Sequence, residues 1–304
     1  MAENKDTPVP KKSSLEWAKE RAAQAQARAA GPAGATVQLP PLPLWPDAVR
    51  AVPNGILRSA LFGAIKKGAR AYLERQEIHA QEGIRIVYTG ARLDQGDLDV
   101  WETVLHTVRL QALGDECRVT AYQLLKVLGK TDTGINRETL DRRLSRMKAT
   151  GVDVTVGRYG YEGSLIDEVY RDKETRQYAR QYVIRLNPKL SALFAADQFT
   201  QIDWTVRHAL DGKPLAQWLH GYYASHAKPY PVNVATLLKL SGSENEDPSS
   251  GRQKLRKALD AVTEASAAHG EGFSYEICGD LVHVEKLAQG AQRRHLAKPR
   301  KRKP

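Results

Sequence analysis

An α+β fold is what this 304-residue sequence predicts, and three observations predict it. Hydrophobic residues make up 41 % of the chain, enough for real cores and too many for wholesale disorder. From Asp47 onward, segments with apolar residues at helical spacing alternate with short extended runs. One order of segments (helix, short strand, helix, helix, hairpin) occurs twice.

Residues 1–45 stand apart. Ser14–Ala30 (SLEWAKERAAQAQARAA) is rich in helix formers, but its apolar positions are mostly Ala and offer little to pack. The QLPPLPLWP stretch that follows favours an extended backbone. This N-terminal segment reads as a flexible tether or as a peptide ligand for a partner.

In the first copy, Leu98, Trp101, Leu105 and Val108 mark one face of a helix near 97–112. A strand is expected at Cys117–Val119, and Thr120 three residues before Gln123 is a capping-box signature for a helix to Leu128, ended by Gly129. Asn136 is the expected N-cap of a further helix to about Ala149, with Leu140, Leu144 and Met147 on its core face. Extended segments follow at Val152–Val156, Ser164–Tyr170 and Tyr178–Leu186, the last two flanking the polar turn Asp172-Lys173-Glu174-Thr175.

The second copy is tighter. Leu215, Trp218, Leu219, Tyr222 and Tyr223 mark a helix near 213–226, and Tyr230–Val232 a short strand before a helix to about Leu240. Asp247-Pro248 supplies an N-cap and a first-position Pro for a helix to about Ala268, with Leu255, Leu259 and Val262 facing inward. Phe273, Tyr275 and Ile277 alternate as a strand, and Cys278-Gly279-Asp280 turns it into Leu281–Val284.

This order is that of the winged helix, whose second helix of the helix-turn-helix enters the DNA major groove while the hairpin touches the backbone. The expected organisation is a flexible segment 1–45, tandem winged-helix domains at 46–202 and 203–287, and a disordered basic tail 288–304. The competing reading is a generic α+β core with no DNA role.

Charge favours a polyanionic partner. Lys and Arg total 46 against 35 acids, a net charge of +11. Seven of these cations (Arg293, Arg294, Lys298, Arg300, Lys301, Arg302, Lys303) lie in the acid-free stretch from Ala291 to the end. Such a block is a solvated tail or an arm that displaces counterions from nucleic acid. On the second long helix, Gln253, Arg256 and Lys257 fall away from the core face, with Lys254 at the flank. On the first, Arg142 and Arg146 lie one turn apart on the outward face, with Arg143 beside them. Arg pairs bidentately with guanine and Gln with adenine, while Lys mostly meets phosphate, so these seven residues are the candidate DNA contacts.

Other chemistry finds little support. Two cysteines, Cys117 and Cys278, exclude a disulfide framework and lack the neighbours of a zinc site. Asp94, Asp97, Asp99 and Glu102 read as acids at a helix start, where the macrodipole favours them, in preference to a metal cluster. Gly129-Lys130-Thr131 resembles the end of a phosphate loop, but Leu124 stands where that loop needs Gly. The His-x-His pair of a metal-dependent strand-nicking enzyme is missing, and none of the 12 tyrosines sits in a recognisable nucleophile setting. No catalysis and no cofactor are expected. The amino terminus lacks a secretory pattern and no apolar stretch reaches the ~20 residues of a membrane span, so a cytoplasmic protein is expected.

Several segments then resemble the TrfA family of plasmid replication initiators: WPDAVRAVPN at 45–54, RSALF at 58–62, IVYTG at 86–90, AADQFT at 195–200, SHAKPYP at 225–231, SGS at 241–243 and DLVH at 280–283. The resemblance covers about Gln38 to Lys286. It implies an initiator that binds repeated sites (iterons) at a plasmid origin as duplex DNA, with single-stranded origin DNA as a further candidate. It also implies help in opening the origin, recruitment of the host replicative helicase, host initiator and sliding clamp, a monomer–dimer equilibrium and copy-number control. The family's clamp ligand, Gln-Leu-x-Leu-Phe, is altered here: Gln38-Leu39 runs into Pro40-Pro41-Leu42, while Leu42, Leu44 and Trp45 supply a Leu-x-Leu-aromatic unit with Pro41 in place of Gln. The alternative function is a winged-helix transcriptional repressor or autoregulator without a replication role.

Overall fold

The computed structural model describes residues 42–65, 68, 70–111, 113–171, 181–195, 198–243, 247–288 and 290–297. The helix expected at 14–30, Gln38-Leu39 and the turn at 172–175 lie outside them. The first half begins with β1 (Val49–Pro53), α1 (Asn54–Leu57), β2 (Phe62–Gly63), β3 (Tyr72–Glu77), β4 (Ile84–Ala91) and β5 (Leu93–Asp94). Helix α2 (Gln95–Val108), β6 (Cys117–Thr120), α3 (Ala121–Val127) and α4 (Gly134–Lys148) follow, then β7 (Gly151–Val156), β8 (Tyr159–Gly163), β9 (Glu168–Arg171) and β10 (Gln181–Arg185). A 3₁₀ turn at Pro188–Phe194, β11 (Phe199–Asp203) and α5 (Trp204–Ala209) lead into the second half. That half contains α6 (Pro214–Ala224), β12 (Val232–Asn233), α7 (Val234–Leu240), α8 (Pro248–Ala268), β13 (Phe273–Cys278), β14 (Leu281–Lys286) and α9 (Gly290–Ala297).

Local chemistry sets these boundaries. Asp94 and Asp97 form a reciprocal capping box at the start of α2, and Thr120 and Gln123 do the same for α3. The cap of α4 is Thr133, whose hydroxyl accepts from the Asn136 N–H at 3.2 Å; Asn136, the expected cap, instead uses its side-chain amide on the Thr131 carbonyl at 2.8 Å. Asp247 caps α8 through the N–H groups of Ser249 and Ser250, with Pro248 at the first helical position.

Two hydrophobic cores divide the chain. One draws on residues from Leu42 to Trp204, and the other on residues from Val206 to Val284. The expected core faces of the long helices are all buried: Leu98, Trp101, Leu105 and Val108 on α2, Leu140, Leu144 and Met147 on α4, and Leu255, Leu259 and Val262 on α8.

Each half holds a three-stranded antiparallel sheet of the same order, β6-β10-β9 and β12-β14-β13. In each, the strand before the helix pair joins the far strand of the hairpin. The first half carries more. Strand β7 leaves that sheet to pair with β4, giving β3-β4-β7-β8, while β1 pairs with β11. The single extended segment expected at 164–170 is therefore a bend that buries Leu165 and Ile166, followed by the short β9.

Candidate nucleic-acid interface

Helix α8 presents the face the sequence suggests. Leu255, Leu259 and Val262 are turned into the core. At 100° per residue this puts Gln253, Arg256 and Lys257 outward, with Lys254 at the flank, and all four are exposed. The face is polar along its length and more acidic toward the C-terminus, where Asp260 and Glu264 share it. Asp260 accepts a hydrogen bond from the Tyr275 hydroxyl, and burial together with that bond pushes the phenol up to about 12.

The hairpin beside this helix is held by a residue the sequence reading passed over. Arg252, in the first turns of α8, donates to Asp280 Oδ1 at 3.1 Å and to the Gly279 carbonyl. Both acceptors are in the turn joining β13 to β14, so the start of the helix is tied to the hairpin tip. The only available signal was position: an Arg on the flank of a capped helix, one side away from the outward face.

Helix α4 differs from expectation. Arg142 is exposed, but Arg143 and Arg146 turn back onto α2. Arg143 Nη1 donates to Asp94 Oδ1 at 2.6 Å and to Asp97 Oδ1 at 2.9 Å, and Arg146 Nη1 to the two Asp97 oxygens at 2.6 and 2.7 Å. Arg70 completes the cluster on both carboxylates. Burial pushes the Asp94 carboxyl up, but Arg143 and Arg70 outweigh it and hold the group at about 2. Gly96 makes room: a Cβ there would overlap the Arg143 guanidinium. The outward stripe of α4 is consequently Ile135, Glu138, Arg142, Ser145 and Lys148, far less cationic than the sequence implies. The physical reason is that Asp94 and Asp97 are buried at the start of α2, where an unpaired carboxylate would be costly, and the guanidinium groups on the facing side of α4 supply the opposite charge.

The peptide Leu42-Pro43-Leu44-Trp45 is also corrected. Leu42 and Trp45 belong to the first core, and Leu44 alone of the three candidate clamp residues is exposed. Trp45 stacks on Phe194 with ring centroids 6.3 Å apart, and its Nε1–H donates to His106 Nδ1 at 3.0 Å. The basic stretch expected to be uniformly disordered is helical over Gly290–Ala297.

Helix α2 joins the halves as well as bracing α4. Asp99 and Glu102 face Arg207 of α5, at 2.6 and 3.2 Å, and Asp99 also accepts from Gln217 of α6 at 3.3 Å. The acids read as helix-start residues are thus partners for arginines on both sides, and among the described residues no group of three His, Cys, Asp or Glu could hold a metal. Gly129 and Lys130, the apparent end of a phosphate loop, serve the same seam. Gly129 has φ +63°, a Cβ on it would strike the His208 ring, and Lys130 pairs with Asp211.

Three of the segments that carried the family resemblance lie along this seam. Arg58 of RSALF bonds Ser225 of SHAKPYP, Trp218 donates to the Ser59 carbonyl at 3.0 Å, and Gln81 reaches Tyr230 at 3.0 Å. Ser241 and Gly242 of SGS accept from Ala64 N at 2.7 Å and Arg92 at 2.9 Å. No helix among the described residues is long and apolar enough to cross a membrane.

Comparison with known proteins identifies the family. The profile of the family described as TrfA protein matches residues 34–286. A curated relative, the plasmid replication initiator protein TrfA of Escherichia coli, is 29 % identical over 248 residues, which is 80 % of this chain and 63 % of that protein. The chain therefore spans less than two thirds of that relative's length. Among solved structures, domains 2 and 3 of RctB match with TM-scores of 0.52 and 0.50 at 12 % and 14 % identity, each over 78 % of this chain and 98 % of the other. At that identity the likeness is one of fold.

Proposed function

The chain belongs to the TrfA protein family, and on that premise we propose that it initiates plasmid replication by gripping iteron repeats as duplex DNA through two winged-helix domains, 46–202 and 203–287. The observation that carries this reading is α8, which offers Gln253, Lys254, Arg256 and Lys257 to solvent beside a hairpin tip anchored by Arg252. The repeated strand order of the two sheets and the separation of the cores between Trp204 and Val206 support the division into two domains. Two such modules on one chain occupy successive major-groove faces about one helical turn apart.

In this reading the second domain reads bases through α8, and Arg142 is the remaining contact of the first domain's α4. Origin opening draws on binding energy stored in bent or unstacked DNA, so no bond-making chemistry is required. The host helicase, host initiator and sliding clamp are the partners the reading assigns, in the bacterial cytoplasm. A clamp contact through Leu42 and Trp45 would require both to leave the core, so of those three residues only Leu44 is offered for it.

The test is twofold. Binding of the full chain to an iteron duplex is measured with and without Arg256→Ala, and replication of a test plasmid is made to depend on its origin. Sequence-specific binding with no support of replication would favour a repressor or autoregulator instead.

A further inference from the structure

With Arg143 and Arg146 turned onto α2, the face that α4 keeps for solvent holds chemistry that phosphate contact does not use. Ile135, in the first turn, is 76 % exposed, the most of any large hydrophobic side chain among the described residues. Glu138, three residues on, is exposed and has no ion pair among the described residues. Arg142 follows, also exposed. At 100° per residue the three lie within about 60° of one another, on the side away from the buried Leu140, Leu144 and Met147.

The start of the helix is open to a large partner. Gly134 and the capping Thr133 are both exposed, and a Cβ placed on Gly134 would meet nothing within 4 Å. In a winged helix the N-terminal residues of this second helix approach base edges. There an aliphatic side chain has one partner, the 5-methyl group of thymine. A carboxylate repels the phosphates lining the groove, and the base group that offsets this is the N4 amino group of cytosine, which donates to Glu or Asp.

On the reading of this chain as a duplex-DNA binder, we infer that the first domain reads pyrimidines: Ile135 packs on a thymine 5-methyl group and Glu138 accepts from a cytosine N4 amino group. Helix α8 then supplies the complementary half of the recognition, since its Arg and Gln side chains suit guanine and adenine. Ile135 and Glu138 are about 4.5 Å apart along the helix axis, against about 3.4 Å per base pair, so the two pyrimidines lie within two steps of each other.

The probe is the duplex that the full chain selects from a random-sequence pool. Each thymine in it is replaced in turn by deoxyuridine, which removes the methyl group and no hydrogen-bonding atom. At one thymine this should weaken wild-type binding about fourfold, the worth of one buried methyl group. Ile135→Ala should weaken binding of the thymine duplex by at least that factor and bind the thymine and deoxyuridine duplexes alike at that position. Glu138→Ala should cut the preference for cytosine about fivefold at a position within two steps of that thymine, and leave the other positions unchanged. Both side chains are exposed, so urea midpoints of the variants should match wild type. Wild-type indifference to every deoxyuridine, a thymine preference kept by Ile135→Ala, or a cytosine preference kept by Glu138→Ala would each overturn the inference. Failure to select any duplex would overturn the duplex-binding reading, and the inference with it.

Discussion

Arg58 and Ser225, 167 positions apart, clasp the two halves of the chain: the Arg58 Nε–H donates to Ser225 Oγ at 2.8 Å and its Nη2 to the Ser225 carbonyl. Both lie in segments that also carry the family resemblance. Those two segments therefore meet at a seam between the two cores.

The seam should be costly to break. Arg58→Ala removes both bonds and leaves Ser225, which is buried, short of a donor. A loss of about 2 kcal/mol is expected in urea unfolding. Stability equal to wild type would mean that the halves are held by their apolar contacts alone.

The two candidate reader helices should respond oppositely to loss of Arg. Arg256→Ala is expected to weaken iteron binding by about 1–3 kcal/mol with unfolding unchanged. Arg143→Ala leaves Asp94 and Asp97 undercompensated in a buried cluster, so it should cost stability by about 3 kcal/mol. Paired titrations of duplex binding and urea unfolding on both variants separate these outcomes.

Acid sensitivity follows from His226. Burial, with Arg58 alongside, holds its imidazole down at about 4, whereas an unfolded chain protonates near 6.5. Between those values the unfolded chain binds a proton the folded one excludes. The contribution is complete above about pH 6.5 and is lost, by about 3 kcal/mol, as pH falls to 4. Asp94 acts in the same sense lower down, between its ordinary range near 4 and about 2. Glu102 is held up at about 7 by burial despite Arg207 and works in reverse, costing stability as pH rises from about 4.5 to 7. Urea midpoints at pH 8, 6 and 4.5 should converge between wild type and His226→Gln as pH falls.

Trp45 tests the fate of the proline-rich peptide. Trp45→Ala should destabilise the protein by about 3–5 kcal/mol through the core that holds it, while Leu44→Ala changes stability by less than about 0.5 kcal/mol. A Trp45→Ala protein as stable as wild type, with lost affinity for a sliding clamp, would reverse the placement of Trp45 in the core.

The C-terminal cations should act through phosphate alone. Deleting Lys298–Pro304 spares α9 and removes five positive charges. It should lower affinity for every duplex alike and flatten the salt dependence by roughly 0.9 in log–log slope for each phosphate no longer neutralised. A weakened preference for the iteron alone would assign the tail to base reading.

Much of the second half was legible because its signals are local. Asp247-Pro248 caps α8, Leu255, Leu259 and Val262 keep a helical period, and Phe273–Leu281 alternates around a Gly turn. The first half was less so. Strands β3, β4, β7 and β8 form a sheet between segments far apart in sequence, and nothing in Val152–Val156 says that its partner is Ile84–Tyr88. Arg143 and Arg146 read as solvent-facing because helical periodicity gives an angle about an axis and does not say which neighbouring helix fills that side.

Composition, periodicity and capping chemistry alone determined the α+β class, the repeated order of elements, the long helices with their core faces and the exposed cations of α8, since each depends on residues within a turn or two. The tertiary structure decided which charges are spent internally. A guanidinium's partner is set by distance in space, and only the folded chain brings Asp94 and Asp97 against Arg143, Arg146 and Arg70, seats Trp45 beside His106, and leaves the Tyr223 hydroxyl without a partner among the described residues.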